Sequence, residues 1–377
     1  MSTEESTPTR RSAWIEVDPS AIRDNVQSVR SWLEPTRYLA VVKANGYGHG
    51  LVTAARAAVA GGAEKLGVAI LEEGATLRSA GVEAPILILG ASLPECAGAI
   101  VGSDLAQTVA DTGLLDALND AAGLQGKVAR VHLKIDTGMG RVGVPPRNFD
   151  ALHAHAVALP HICVDGLATH IGWEDDTSIE TQVRSFRDLT EGFPDRDAHA
   201  ANSLVAIRSN AARMDWARIG LLTYGVLPQP LYEASIRLPE TRDLRPALSI
   251  VARITQLRTA DPGQTVSYGG TFTVDRPSRL AILPVGYADG YPRALSNRGH
   301  VLIHGHRCPV RGAVCMDQTV VDVTDCPDAR PGDPILLVGS DGPHRITIND
   351  LARTAGTIPH DILAGLGPRL PRVATPS

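Results

Sequence analysis

Three things are scarce in this sequence, and each scarcity removes a class of protein. Cysteine is the first: Cys96, Cys163, Cys308, Cys315 and Cys326 are odd in number and never form a C-x-x-C pair. Neither a disulfide framework nor a zinc knuckle is signalled. Long apolar runs are the second, since no stretch approaches the length of a membrane span. Residues 1–11 are polar and acidic with no apolar centre, so they read as a disordered tail and not as a signal peptide. Positive charge is the third: the net charge of −5 leaves no basic footprint for nucleic acid. No internal repeat or long low-complexity segment is present. What remains is 377 residues, 44% hydrophobic and 20% charged, enough for two or more domains of an ordinary globular protein. A reducing cytoplasm is the expected setting.

The chain is organised around Tyr38-Leu39-Ala40-Val41-Val42-Lys43-Ala44-Asn45-Gly46-Tyr47-Gly48-His49-Gly50. An apolar run ends in one lysine, and a loop of glycines and aromatics begins. Such a run reads as a strand buried on both faces, and its carboxyl end is where α/β folds place their chemistry. Desolvation there frees the Lys43 amine for an imine with a carbonyl cofactor; the plainer role is pairing with a carboxylate or phosphate. Alone, Lys43 favours the plainer role. Its neighbours change that.

Residues 14–17 alternate like a strand, and Asp18-Pro19-Ser20 opens a helix through Leu33. Eight β-runs follow at 39–42, 66–70, 86–89, 106–109, 131–135, 164–169, 197–200 and 217–223. Helical patterns lie between them at 51–60, 72–80, 114–122, 149–159 and 179–190. This alternation predicts a (β/α)8 barrel of the TIM type over 12–240. Pro228, Pro230, Pro239 and Pro246 mark a connection. From there β-runs at 248–257, 280–285, 300–303, 319–323 and 335–338 dominate, with one helical piece at 348–354. They predict a mainly antiparallel β domain over 241–377, with the chain's first strand free to pair with it.

Barrel chemistry gathers at the carboxyl ends of the strands. The predicted ends carry Lys43 and Tyr47, then Lys134 with Asp136-Thr137-Gly138-Met139-Gly140-Arg141, then Thr169-His170, His199-Ala200-Ala201-Asn202-Ser203 and Arg218-Ile219-Gly220. Cations, a hydroxyl and a glycine amide at one mouth suit a phosphate and a carboxylate. Each has a plainer reading: Lys134 as a surface residue, His170 as a satisfied core histidine, Ser203 as a helix N-cap.

With these stretches in view, the chain resembles the barrel-type alanine racemases, a pyridoxal 5'-phosphate family, from Trp14 to Arg372. The matching segments run in the family's order. They are Val41 to Gly50 as quoted above, Lys134-Ile135-Asp136-Thr137-Gly138-Met139-Gly140-Arg141-Val142-Gly143, His199-Ala200-Ala201-Asn202-Ser203, Arg218-Ile219-Gly220, Val266-Ser267-Tyr268-Gly269-Gly270, Gly286-Tyr287-Ala288-Asp289-Gly290-Tyr291 and Cys315-Met316-Asp317-Gln318. The resemblance implies interconversion of L- and D-alanine by two bases, supplying D-alanine for peptidoglycan, in a homodimer with shared sites. It assigns Lys43 the imine to the cofactor and one base, and Tyr268 of the partner subunit the other. Arg218 meets the pyridine nitrogen, and Arg141 bridges the cofactor's phenolic oxygen and the substrate carboxylate. His170 backs the ring. Tyr47, Ser203 and the Gly220 amide hold the phosphate, with Asn202, Tyr287 and His360 also at the cofactor, and the Met316 amide meets the substrate carboxylate. The lysine at position 134 is one that the family can carbamylate.

Two departures stand out. Where the family usually carries a tyrosine, this chain reads Thr357-Ile358-Pro359-His360-Asp361, which weakens the steric gate against larger substrates. Ile171-Gly172-Trp173-Glu174 is also unusual. A racemase retuned to serine or another amino acid is therefore the second reading. A related decarboxylase is opposed by Arg218, and a non-catalytic carrier by Tyr268. A metal site at His300, His304, His306 and Cys308 is set aside, because near-alternation fits a half-exposed strand, and no metal is expected.

Overall fold

The computed structural model describes residues 11–172, 175–234, 241 and 243–375. Residues 1–10 of the expected tail and the Trp173-Glu174 pair lie outside the described residues. Two compact units are present: residues 22–245, and residues 11–21 together with 246–375.

Strand β1 (Ala13–Val17) belongs to the second unit. The first unit is built on β2 (Arg37–Val41), β3 (Lys65–Val68), β4 (Ile86–Ile88), β5 (Ala106–Val109), β6 (Ala129–Lys134), β7 (Ile162–Ala168), β8 (Asp197–His199) and β9 (Trp216–Ile219). All are parallel, each beside the next, and β2 also pairs with β9. Between β8 and β9 the ring is joined by Asp215 N–H to Ala198 C=O at 3.1 Å and Arg218 N–H to Ala201 C=O at 3.0 Å. This is the expected (β/α)8 barrel. Its strands read as apolar runs because both faces are covered: β3, β4 and β9 are buried throughout. The intervening helices cover the ring with one apolar stripe each. In Leu51–Ala60 that stripe is Ala54, Ala55, Ala57 and Ala58, and in Thr112–Leu124 it is Leu114, Leu115, Leu118 and Ala122. Small side chains let the first of these lie close: a Cβ at Gly61, just past its end, would stand 2.6 Å from the Arg23 carbonyl oxygen.

The run at 217–223 is shorter than expected. Strand β9 stops at Ile219, and Leu221–Tyr224 forms a 3-10 turn closed by Thr223 N–H to Gly220 C=O at 3.0 Å. Hydrophobicity continued because the turn is itself buried, so the apolar run hid the end of the strand.

In the second unit β1 pairs antiparallel with β10 (Leu248–Arg253) and parallel with β20 (Arg372–Ala374). Together with β15 (His300–Ile303), β16 (His306–Pro309), β18 (Pro334–Asp341) and β19 (His344–Ile346) they make a seven-stranded sheet. A three-stranded antiparallel sheet holds β11 (Gln256–Ala260), β14 (Ser278–Leu283) and β17 (Thr319–Asp322). The short hairpin of β12 (Thr265–Val266) and β13 (Phe272–Thr273) packs over Ala260, Val274 and Leu280. The mainly antiparallel β architecture matches the expectation. The single run expected at 248–257 is two strands in different sheets. Ile254 N–H bonds to Asp333 C=O at 3.0 Å and Thr255 N–H to Ile282 C=O at 3.0 Å, so the chain crosses from one sheet to the other there. Arg11, the last residue of the expected tail, donates to Asp289 at 2.6 Å. A helix at Pro359–Gly365 was not foreseen, although Pro359 at its first turn is an ordinary start signal.

Candidate active site

Lys43 follows β2 directly and opens a turn of unusual hand. Ala44, Asn45, Gly46 and Tyr47 have φ of 52°, 55°, 61° and 50°. Glycine takes this conformation readily and asparagine tolerates it, so Ala44 and Tyr47 hold the unfavourable ones, worth about 1 kcal/mol each. The neighbours over-determine it. Glu73 accepts the Ala44 amide at 2.6 Å, Asn45 Oδ1 accepts the Leu51 amide at 2.9 Å, and His49 Nδ1 lies 2.8 Å from the Tyr47 carbonyl oxygen. Tyr224 stacks on both Tyr47 and His49, with centroids 5.1 and 4.4 Å away, and its hydroxyl donates to Val41 C=O at 3.1 Å. Burial pushes the Lys43 amine below the ordinary lysine value; the positive charges of Arg141 and Arg218 act the same way, and Glu73 opposes them.

The turn presents Tyr47 to the end of β9. A Cβ at Gly220 would stand 2.6 Å from Tyr47 Oη, so glycine alone leaves that space open. The Gly220 amide donates to Ser203 Oγ at 3.0 Å. Ser203 is not the helix cap that was the plainer reading. Asn202 caps Ser203–Arg208, its Oδ1 accepting the Leu204 and Val205 amides at 3.0 Å each, while its Nδ2 donates to Ile171 C=O at 3.3 Å. Asn202 is thereby occupied with backbone, and Tyr47, Ser203 and Gly220 form a small polar cradle. A phosphate suits it: two hydroxyls and a backbone amide meet, and the one side chain that would fill the space is missing.

Arg218 on β9 is buried, and the rim of the barrel surrounds its guanidinium with acceptors. It donates to Thr169 C=O at 2.8 Å, His199 C=O at 2.9 Å and Ala200 C=O at 3.0 Å. Two histidine nitrogens complete the set: His199 Nδ1 at 2.7 Å and His170 Nδ1 at 3.1 Å. A guanidinium only donates, so both nitrogens are bare acceptors. Burial, reinforced by Arg218, pushes both imidazoles well below their ordinary value, and burial alone brings Arg218 down to about 10.

Lys134 ends β6, and its amine donates to Ile135 C=O at 3.2 Å. Burial pushes it down to about 7, helped by Arg218 and Arg141 and opposed by Asp136. Asp136 gathers the Gly138, Met139 and Arg141 amides at 3.0, 2.8 and 3.0 Å and so shapes the turn that carries Arg141. Gly143 is required there, with φ 134° and a Cβ position 2.6 Å from the Asp136 nitrogen. Lys43, Lys134, Arg141, His170 and Arg218 are thus brought within electrostatic range at one barrel mouth.

In the second unit Tyr268, Tyr287, Arg293 and Cys315 to Gln318 line a cleft of about 880 Å³. Gly286 lies against the Cys315 carbonyl oxygen, where a Cβ would come within 2.2 Å, and the Tyr287 amide bonds to that oxygen at 3.0 Å. Tyr268 is 76% exposed and Met316 52% exposed. His360 is exposed on the first turn of Pro359–Gly365 and is not among the residues lining the cleft. Among the described residues, no three His, Cys, Asp or Glu side chains gather as a metal site. Glu73, Tyr224 and His49 were missed by sequence reasoning; each acts through contacts distant in the chain or through its own backbone, for which no local pattern exists.

Fold and mouth define a (β/α)8 barrel that gathers a buried amine, several cations and a small polar cradle at the ends of its strands. Residues 17–228 match the alanine racemase N-terminal domain and residues 247–374 the alanine racemase C-terminal domain. The chain belongs to the alanine racemase family. It is 41% identical to the alanine racemase of Symbiobacterium thermophilum over 370 residues, covering 96% of this chain and 97% of that one. It is 39% identical to that of Desulfovibrio desulfuricans, covering 96% and 98%. Among solved structures, alanine racemase from D-cycloserine producing Streptomyces lavendulae superposes with TM-score 0.91 at 34% identity, covering 98% of each chain. Alanine racemase from Bartonella henselae, with covalently bound pyridoxal phosphate, superposes with TM-score 0.85 at 27% identity, covering 97% and 99%.

Proposed function

We propose that this protein is a pyridoxal-phosphate-dependent racemase that interconverts L- and D-alanine. The observation that carries the reading is Lys43: an amine at the end of β2, driven toward its neutral form by burial and by Arg141 and Arg218. When bound, the pyridoxal ring withdraws electrons from the amino acid's Cα and so acidifies its hydrogen.

Every other part of the task falls to the chain. Lys43 attaches the cofactor and exchanges the α-proton on one face. Tyr268, 76% exposed in a single subunit, serves the opposite face of a second copy's site, so the working form is a homodimer with shared sites. Racemisation needs a proton taken from one face and returned to the other, which two bases on opposite faces accomplish directly. Arg218 directs its guanidinium at the ring nitrogen and keeps its own protons, which restrains electron withdrawal and favours simple proton exchange. His170, held by Arg218, stands behind the ring. Arg141 and the Met316 amide meet the substrate carboxylate; Tyr47, Ser203 and the Gly220 amide hold the phosphate, with Asn202 fixing the helix that carries Ser203. Tyr287 and His360 belong to the cofactor side of the site in this reading. Lys134, neutral in part near pH 7, is the amine suited to carbamylation. The barrel unit, residues 22–245, carries the cofactor and the second unit, which takes up residues 12–21 of the span expected for the barrel, carries the second base. The setting is the cytoplasm, the product D-alanine for peptidoglycan.

A second reading keeps the chemistry and changes the substrate to serine or another amino acid, because His360 stands where relatives place a tyrosine. Borohydride trapping followed by peptide mapping tests the first reading; cofactor fixed to any lysine other than Lys43 overturns it. Loss of optical rotation over a panel of amino acids separates the substrates.

A further inference from the structure

Behind Arg218 a line of buried polar side chains crosses the barrel interior, away from the cofactor cradle. His199 Nε2 lies 2.8 Å from His132 Nδ1, and His132 Nε2 lies 3.5 Å from Lys65 Nζ at the start of β3. All four residues are buried, with His132 at 0% and His199 at 1% exposure. Room for the line is built in: a Cβ at Gly166 on β7 would stand 2.5 Å from His132 Nδ1.

The direction of every hydrogen bond in this line follows from its first member. Arg218 can only donate, so His199 Nδ1 must accept and the ring's proton sits on Nε2. That proton is given to His132 Nδ1, which leaves the His132 proton on Nε2, pointing at Lys65. A lysine ammonium has no acceptor, so it would oppose donor to donor. A neutral amine offers one lone pair and completes the line.

We propose that Lys65 is the terminal acceptor of a one-way chain, Arg218 to His199 to His132 to Lys65, and is a positioning residue for Arg218. Burial pushes the Lys65 amine below the ordinary lysine value, in the required direction. The groups facing it are mixed: Asp165, Asp197 and the Trp216 ring face, its centroid 4.6 Å away, favour its charge, while Arg37 and Arg130 join burial in opposing it. The 3.5 Å link is the longest of the line, hence the one most readily reversed. Reversal at Lys65 flips both imidazole tautomers and sets His199 Nδ1–H against Arg218. Arg218 then loses its 2.7 Å contact and leans on the three carbonyls and His170 Nδ1.

The inference rests on Arg218 facing the ring nitrogen, so its test begins where that reading plays no part. Histidine ¹⁵N correlation spectra of the full-length, cofactor-free dimer are expected to show His132 and His199 with bare Nδ1 and protonated Nε2. Protonated Nδ1 on either ring overturns the proposal, whatever the activity, and needs no variant to fold. In the loaded enzyme, Lys65→Arg, which can only donate, is expected to lower kcat by roughly tenfold with KM within about twofold, the worth of one hydrogen bond. Lys65→Gln, which brings an acceptor oxygen, is expected to restore kcat to within about threefold. Equal kcat and equal tautomers in the two variants would leave Lys65 a packing residue and sink the idea.

Discussion

The two oxygens of Glu73 hold Ala44 and Ala69: one accepts the Ala44 amide at 2.6 Å, the other the Ala69 amide at 2.8 Å. One carboxylate therefore ties the exit of β3 to the left-handed turn that follows Lys43. Glu73→Ala is expected to destabilise the fold by about 1–3 kcal/mol and to loosen cofactor retention about tenfold. Urea unfolding and dialysis of the loaded protein measure the two. Unchanged retention would mean that the turn stands without its brace.

Gly220→Ala puts a methyl group at 2.6 Å from Tyr47 Oη. Tyr47 must move, and the cradle closes. The expected outcome is a rise in the cofactor's dissociation constant of at least about tenfold, with a stability loss of about 1–3 kcal/mol from overpacking. Titration of the cofactor-free variant with pyridoxal phosphate checks it; ordinary affinity would remove the phosphate from this place.

Lys134 gives a stability slope whose sign is fixed. In the folded chain it holds its proton only below about 7, while the unfolded chain holds one up to the ordinary value of 10.5. Across that window the unfolded state binds more protons, so this residue makes stability rise with pH between those limits and contributes no slope outside them. In urea unfolding, the stability of the native protein minus that of Lys134→Met is expected to climb from about pH 7 to about pH 10. A flat or falling difference would place the Lys134 amine in solvent.

Tyr268→Phe removes the hydroxyl and little else, because the side chain is largely exposed. Racemisation is expected to fall by about a hundredfold or more, as for loss of a general acid or base. Exchange of the α-hydrogen with deuterated water should suffer more from one enantiomer than from the other. Equal losses from both would contradict two bases on opposite faces.

His360→Tyr is expected to lower the serine-to-alanine ratio of kcat/KM by several-fold, in the range that one added apolar ring imposes on a small substrate. An unaltered ratio would show that position 360 does not gate the site.

Several elements were readable from sequence because their signals are local. The helix Leu51–Ala60 and strands β5 and β15 fall where periodicity put them, since each pattern repeats within one element. Boundaries failed where burial outlasted the element. Apolar residues carry on past Ile219 into a buried 3-10 turn, and 248–257 keeps one strand-like mix of apolar and polar residues while changing sheets at Ile254. Ser203 shows the same limit for the site: a serine before a helix reads as its cap, but Asn202 takes that work and leaves Ser203 Oγ for the Gly220 amide.

By itself the sequence determined the alternation of strand and helix, the order of the motifs and the residue types at the strand ends. These are one-dimensional properties, carried by hydrophobic period and by spacing. Tertiary structure decided which of those residues act together. Glu73 reaches Ala44 across 29 positions and His199 reaches His132 across 67. The charge of Lys43, the tautomers of two buried histidines and the space beside Gly220 depend on neighbours that only closure of the barrel supplies, because desolvation and hydrogen-bond direction are properties of a place and not of a residue.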